Sequence, residues 1–210
     1  MVDAALAARP AFAGLALPGR FGASVATPGV AVAEVTDRAM ASLLARKGEA
    51  SALDAAAQRV FGLALPTTPR RAEAHNLVAL WAGPGQWLAM QAGGDSDALA
   101  ARLAAGLGGL AAVSAQGDGR GVLRLSGPRA RAVLAKGLPL DLHERAFKPG
   151  DTALSVIGHM GVQVTYVDAA PTYEIVLMRS FAASLWRWLT LSAGEYGYEV
   201  AASRAGDTRD

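Results

Sequence analysis

Apolar and polar positions in residues 1–29 follow neither a period of 2 nor one of 3.6, and Ala, Gly and Pro dominate. This stretch reads as an extended arm that needs a surface to lie on. From residue 30 the pattern sharpens. Val30, Val32, Val35, Met40, Leu43 and Leu44 predict one or two strands ending at Arg46-Lys47-Gly48. An Ala-rich run from Ser51 or Leu53 to Phe61 sets Leu53, Ala57 and Val60 to Phe61 on one helical face, with Gly62 as the stop. After a proline-bounded connection from Leu65 to Pro69, Leu77 to Trp81 and Gln86 to Gln91 predict two strands joined through Gly83-Pro84-Gly85. Asp95, Ser96 and Asp97 can cap a helix that runs to Leu107 and is closed by Gly106, Gly108 and Gly109.

The order β, α, β, β, α then recurs. Leu110 to Ala115 and Gly121 to Leu125 read as strands joined by a hairpin turn over Gln116 to Gly119. Ser126 is placed as N-cap, with Pro128 in the first turn, for a helix carrying Ala130, Val133 and Leu134 and ending at Gly137. Beyond a loop through Pro139 and Pro149 come strand-like runs over Thr152 to Ile157, Gly161 to Val167 and Thr172 to Met178. Ser180 is the expected cap of a last helix with a Phe181, Leu185, Trp188, Leu189 stripe. The expected fold class is α+β, because long parallel crossovers are missing. One domain over 30–200 divides into halves of about 30–109 and 110–200, flanked by the arm (1–29) and a polar tail (201–210).

Composition narrows the chemistry. At 210 residues the chain can bury roughly 70% of its unfolded surface and needs no staple. Zero cysteine removes disulfides, thiol nucleophiles, iron–sulfur clusters and thiolate zinc sites together. Hydropathy is raised by 47 alanines rather than by a spanning segment, which needs about 20 apolar residues in a row. The N-terminus carries Asp3 and no basic residue before Arg9, unlike a secretory signal. A soluble, unexported, cytoplasmic protein is expected. Net charge of +2 points to no nucleic-acid partner.

Individual motifs carry little. The glycines at 106, 108 and 109 close a helix instead of opening one, so they are a helix stop and no dinucleotide loop. His143-Glu144 lacks the second histidine one turn on, where Phe147 stands, and His75 and His159 lie far off in sequence. Ser126 has no nucleophile-elbow context. Charge is uneven, however. Arg120, Arg124, Arg129, Arg131, Lys136, Arg145 and Lys148 face only Asp141 and Glu144 between residues 120 and 150. That excess suits a phosphate, a polyanionic cofactor tail or an acidic partner, and equally a solvated helix face. Arg124, alternating with Leu123 and Leu125, points to one definite face of its strand and is the one candidate cofactor contact. Trp186 and Trp188 lie about 200° apart around their helix, so one is exposed unless something covers it.

An ordered set of segments is more specific. The run Leu123-Arg-Leu-Ser-Gly-Pro-Arg-Ala-Arg-Ala-Val-Leu-Ala-Lys-Gly-Leu-Pro-Leu-Asp-Leu142 and its sequel Arg145-Ala-Phe-Lys-Pro-Gly resemble the gamma subunits of heterotetrameric sarcosine oxidase. So do Trp81-Ala-Gly-Pro-Gly-Gln-Trp-Leu88, Arg179-Ser-Phe-Ala-Ala-Ser-Leu-Trp-Arg-Trp-Leu189 and the Arg46-Lys47-Gly48 turn. The resemblance covers most of 30–197 and implies the fold of the folate-binding half of glycine-cleavage aminomethyltransferase. It further implies a non-catalytic chain in an alpha-beta-gamma-delta oxidase that demethylates sarcosine to glycine. The one-carbon unit leaves as formaldehyde or passes to tetrahydrofolate, and oxygen becomes hydrogen peroxide. FAD, FMN, NAD and tetrahydrofolate are expected in partner subunits and zinc in the delta subunit, with none in this chain. Direct contact is expected with alpha, through the arm, Arg120, Arg129, Arg131, Arg145, Lys148 and Trp186 or Trp188. The paired acidic loop of the aminomethyltransferases is missing: Asp37 and Asp118 stand alone, so folate catalysis does not carry over. The alternatives are a stand-alone folate-binding module with Arg124 in a central cavity, a subunit of a related N-methyl amino acid oxidase or dehydrogenase, and, least supported, an autonomous aminomethyltransferase.

Overall fold

The computed structural model describes residues 9–201. Two strands, β1 (Gly19–Phe21) and β2 (Val30–Glu34), precede two copies of one order of elements. The first copy is β3 (Arg38–Ala45), α1 (Ala50–Phe61), β4 (Arg71–Ala74), β5 (Leu77–Gly83), β6 (Gln86–Ala92), α2 (Ser96–Leu107) and β7 (Ala111–Ala115). The second is β8 (Arg120–Ser126), α3 (Ala130–Ala135), β9 (Thr152–Ile157), β10 (Met160–Asp168), β11 (Thr172–Met178), α4 (Ala182–Ala193) and β12 (Tyr198–Val200). The short charged strand β4 is an element the proline-rich connection had concealed.

Each copy builds its own sheet: five strands in the order β4-β5-β6-β3-β7, and seven in the order β1-β12-β2-β8-β11-β10-β9. Among the described residues the strand pairs are antiparallel except β12 with β2. Strand β2 inserts between β8 and β12, the counterparts of β3 and β7, so a strand from the start of the chain completes the second sheet. The 30–109 and 110–200 halves therefore do not coincide with the sheets: β2 belongs to the second, β7 to the first, and the crossing lies at 116–119. For the same reason Gln116 to Gly119 is not a hairpin turn. β7 pairs with β3, whereas β8 pairs with β2 and β11. Turn chemistry lets the chain reverse but does not choose its neighbour.

Alternation along the strands gives each sheet two apolar faces. The outer face of the five-stranded sheet buries Leu43 and Trp87 under Leu53 of α1 and Leu99, Leu103 and Leu107 of α2. The outer face of the larger sheet buries Leu123, Leu125 and Ile175 under Val133 and Leu134 of α3 and Leu185 and Leu189 of α4. Each such side chain contributes about 1.5–3 kcal/mol. The inner faces meet on a smaller plug of Met40, Leu80, Leu88, Met90, Val122 and Val176. The result is an α–β–β–α stack whose middle seam is apolar only at its centre.

Helix ends follow local chemistry in the first copy. Gly62 ends α1 at φ 67°, and Asp95 Oδ1 accepts from the N–H groups of Asp97 and Ala98 at 2.9 Å each. In the second copy packing overrides it. Ser126 stays in the sheet opposite Thr172, and α3 begins at Ala130 behind Arg129 with no side-chain cap. Ser180 lies in a 3-10 turn before α4, whose buried face is Ala182, Leu185, Leu189, Ser192 and Ala193, leaving Phe181 exposed.

Over its described residues the expected arm lies on the second half of the fold, with turns over 11–15 and three residues paired at the edge of the seven-stranded sheet. Phe12 is 1% exposed within the seven-stranded sheet's core, and its N–H donates to buried Glu34 Oε1 at 3.0 Å. Ala11 rests on Gly121, where a β-carbon would stand 2.7 Å from its own. β1 adds an outermost strand beside β12. Residues 1–8 of the arm and 202–210 of the polar tail lie outside the described residues.

Candidate functional site

One flank of the inter-sheet seam opens into a cavity of about 270 Å³ lined by Arg38, Arg71, Glu73, Arg124 and Glu174 among others. Strand alternation delivers Arg124 here, on the face opposite Leu123 and Leu125, as its sequence position requires. Register then sets Glu174 directly across from it on β11. The Arg124 Nη2 and Nε donate to Glu174 Oε1 at 2.7 and 3.2 Å. Arg38, reaching over from the other sheet, adds an ion pair at 3.6 Å. Arg71 pairs with Glu73 on the cavity rim. Every cation of this wall thus has a carboxylate partner. Glu174 and Arg38 went unnoticed in the sequence, although Glu174 between Tyr173 and Ile175 carries the same alternation signal as Arg124.

Tetrahydrofolate would need an unpaired cation for its glutamate carboxylates. The paired cations lining this cavity do not fit it. Among the described residues there is no group of three His, Asp or Glu side chains placed to hold a metal ion. Nor, among them, is any helix long and apolar enough to cross a membrane.

The basic residues of 120–150 do not form one patch. Arg131 turns inward under α3, donating to Tyr173 Oη at 3.2 Å, Tyr166 Oη at 3.4 Å and Glu144 at 3.0 Å. It clamps an aromatic stack in which Tyr166 lies 4.6 Å from Tyr173 and 6.3 Å from Phe147. The bond to Tyr173 raises the Arg131 guanidinium above its ordinary value. Burial pushes the Tyr173 phenol up, and the Arg131 bond, acting the other way, does not cancel it. A phenol that holds its proton more tightly when folded stabilises the fold below its unfolded value near 10, and that contribution is lost as pH rises through the folded value. We therefore expect urea midpoints to fall above about pH 10, with Tyr173→Phe showing a shallower fall. Urea titrations between pH 8 and 11 check this.

Arg129 stacks over Tyr196 at 5.6 Å, and Arg145 and Lys148 are exposed on the loop before β9. Arg120 is half-buried at the start of β8, where burial pushes its guanidinium down from its ordinary value, and Nε donates to Gln116 Oε1 at 3.2 Å. Neither tryptophan is left bare. Trp186 lies 6.2 Å from Phe12 under the N-terminal segment, and Trp188 packs on Gly137, where a β-carbon would meet its Nε1 at 2.7 Å. The arm that needed a surface and the indole that needed a cover satisfy each other.

A family model, sarcosine oxidase, gamma subunit family, matches residues 47–195. The chain belongs to this family. The sarcosine oxidase subunit gamma of Corynebacterium sp. (strain P-1) is 34% identical over 124 residues, 59% of this chain and 60% of that protein. The subunit gamma of Arthrobacter sp is 45% identical over 75 residues, 35% of this chain and 36% of that one. The alignments therefore span about three fifths and about a third of these relatives' lengths. A chain of the heterotetrameric sarcosine oxidase from Corynebacterium sp. U-96, solved with pyrrole 2-carboxylate, superposes with a TM-score of 0.76 at 27% identity, covering 94% of this chain and 99% of that one. The glycine cleavage system aminomethyltransferase T of Bartonella henselae matches with a TM-score of 0.58 at 18% identity, over 80% of this chain and 49% of that one. That second likeness is one of fold.

Proposed function

We propose that the chain is the gamma subunit of a heterotetrameric sarcosine oxidase, a structural subunit without reactive groups of its own that packs on the alpha subunit. The complex, completed by beta and delta, would convert sarcosine, oxygen and water to glycine, formaldehyde and hydrogen peroxide, or pass the one-carbon unit to tetrahydrofolate. FAD, FMN, NAD and tetrahydrofolate would be held by the partner subunits, and zinc by delta. The observation that carries this reading is the likeness over 94% of the chain to one subunit of such an oxidase. The cleft supports it chemically: Glu174 is engaged by both Arg124 and Arg38, so its carboxylate is held between two cations and is not poised for proton transfer. Of the expected interface cations, Arg129, Arg145 and Lys148 are exposed and available to a partner surface.

Co-expression with the neighbouring subunits tests the proposal. The expected result is a stable complex that oxidises sarcosine, while the isolated chain has no turnover. A wild-type chain that never co-purifies with alpha overturns it. Saturable binding of tetrahydrofolate by the isolated chain, which the paired cations of the cleft disfavour, would establish a stand-alone folate-binding module instead.

A further inference from the structure

Strands β4 and β9 occupy the same place in the two repeats, each at a sheet edge beside β5 or β10. Register matches Arg71 with Thr152 and Glu73 with Leu154: Arg71 and Glu73 pair with Leu80 and Val78, Thr152 and Leu154 with Thr165 and Gln163. The β4 edge is charged, and its hairpin turns at once through His75 and Asn76. The β9–β10 hairpin runs two residues further in each strand, to Gly158 and His159, and is apolar there. Pairing places Val156, Gly161, Met178 and Arg120 in one row across four strands, on the face turned towards the other sheet. Leu154, Val156 and Met178 are nevertheless 53%, 44% and 45% exposed. Gly161 between them leaves open space above the sheet. Arg120 ends the row, bonded to Gln116 and to no carboxylate among the described residues.

The backbone of this edge is as open as its side chains. Thr152 N–H points away from β10, to the Pro69 carbonyl at 3.0 Å. Antiparallel alternation therefore turns the N–H and C=O groups of Leu154 and Val156 outward too, beyond the point where residues 69–71 close the edge. Edges are ordinarily blunted by lysine, proline or a bulge. Residues 153–157 contain none of these.

We propose that β9 receives an extended strand of the alpha subunit, whose alternate apolar side chains continue the shelf of Leu154, Val156 and Met178. The proposal rests on the gamma-subunit reading. The added strand supplies partners for the outward backbone groups, and the body of the same subunit supplies apolar cover over the extended shelf, as in strand augmentation generally. A carboxylate of the same partner is the complement of Arg120. A second copy of this chain is a poor occupant. Edge-to-edge pairing about a two-fold axis would join two shelves side by side and double the exposed apolar surface instead of covering it.

The test is made in the co-expressed complex with the double variant Leu154→Lys/Val156→Lys, and with Val60→Lys on exposed α1 as control. The expected result is at least about a tenfold loss of assembled complex for the double variant and none for the control. Hydrogen exchange on the wild type is the second readout: the Leu154 and Val156 amides should exchange at least about tenfold more slowly in the complex than in the free chain. Wild-type-like assembly of the double variant, or equal exchange in both states, overturns the docking site and leaves the subunit reading standing. A free chain that dimerises through this edge, with assembly indifferent to the lysines, also overturns it. Failure of the wild type to assemble at all overturns the subunit reading itself.

Discussion

Replacing Phe12 by alanine should lower the unfolding free energy by about 3–5 kcal/mol, the usual loss for a fully buried phenylalanine. In a chain of this size that corresponds to a fall in Tm on the order of 10 °C. The effect is large because one ring joins three elements. Phe12 fills the core of the seven-stranded sheet, touches Trp186 of α4, and fixes the segment whose N–H satisfies the buried Glu34 carboxylate. Removing the ring leaves a cavity and loosens that hydrogen bond, and an unsatisfied buried carboxylate adds to the loss. Thermal melts followed by circular dichroism measure the stability. Tryptophan emission supplies the local readout, since Trp186 should become more solvated and shift to the red. An unchanged melt would mean that the N-terminal segment is dispensable to this fold.

The arm also shows where a one-dimensional reading stops. Strand and helix periods recur along an element and can be counted, but residues 10–17 are held by a single deep anchor among alanines, which no period announces. Most of the remaining fold was legible because strong local signals mark it: the Gly62 stop, the Asp95 cap and the Gly83-Pro84-Gly85 turn in the first copy, and the apolar alternation of β8 to β11 in the second. What failed depended on strands distant in sequence. Nothing local to Ser126 reveals that Thr172 draws it into the sheet, and nothing in Gln116 to Gly119 reveals that the chain is changing sheets. The candidate site divides in the same way. Alternation with Leu123 and Leu125 was enough to give Arg124 a face, while its neutralisation by Glu174 needs the β8–β11 register. Arg131 looked like surface charge because Tyr166 and Tyr173, which engage it, arrive from strands more than thirty residues away.

Glu174 is the position where a single substitution should most disturb the seam between the sheets. Its carboxylate, 14% exposed, is the shared partner of Arg124 and Arg38, whose side chains are 35% and 21% exposed. Glu174→Ala leaves two guanidinium groups facing each other across a narrow cleft. Breaking a buried pair from one side commonly costs about 3–5 kcal/mol, and the partial exposure of Arg124 reduces the expected loss to about 2–4 kcal/mol. Glu174→Leu should be no better, because restored volume does not remove the charge. Glu174→Leu with Arg124→Leu should recover much of the deficit, since one cation can then turn to solvent and an apolar pair extends the central plug. A double-mutant cycle on these two residues should give a coupling of about 1–3 kcal/mol. The alanine variant carries a further consequence that a loss of packing would not produce. Two unpaired guanidinium groups beside a cavity of about 270 Å³ form an anion site. Phosphate should therefore raise its Tm more than chloride at equal ionic strength, through preferential binding to the folded state. The wild type, with Glu174 in place, should respond to the two salts alike. An equal response in the variant would show that the arginines separate and hydrate when the carboxylate is lost.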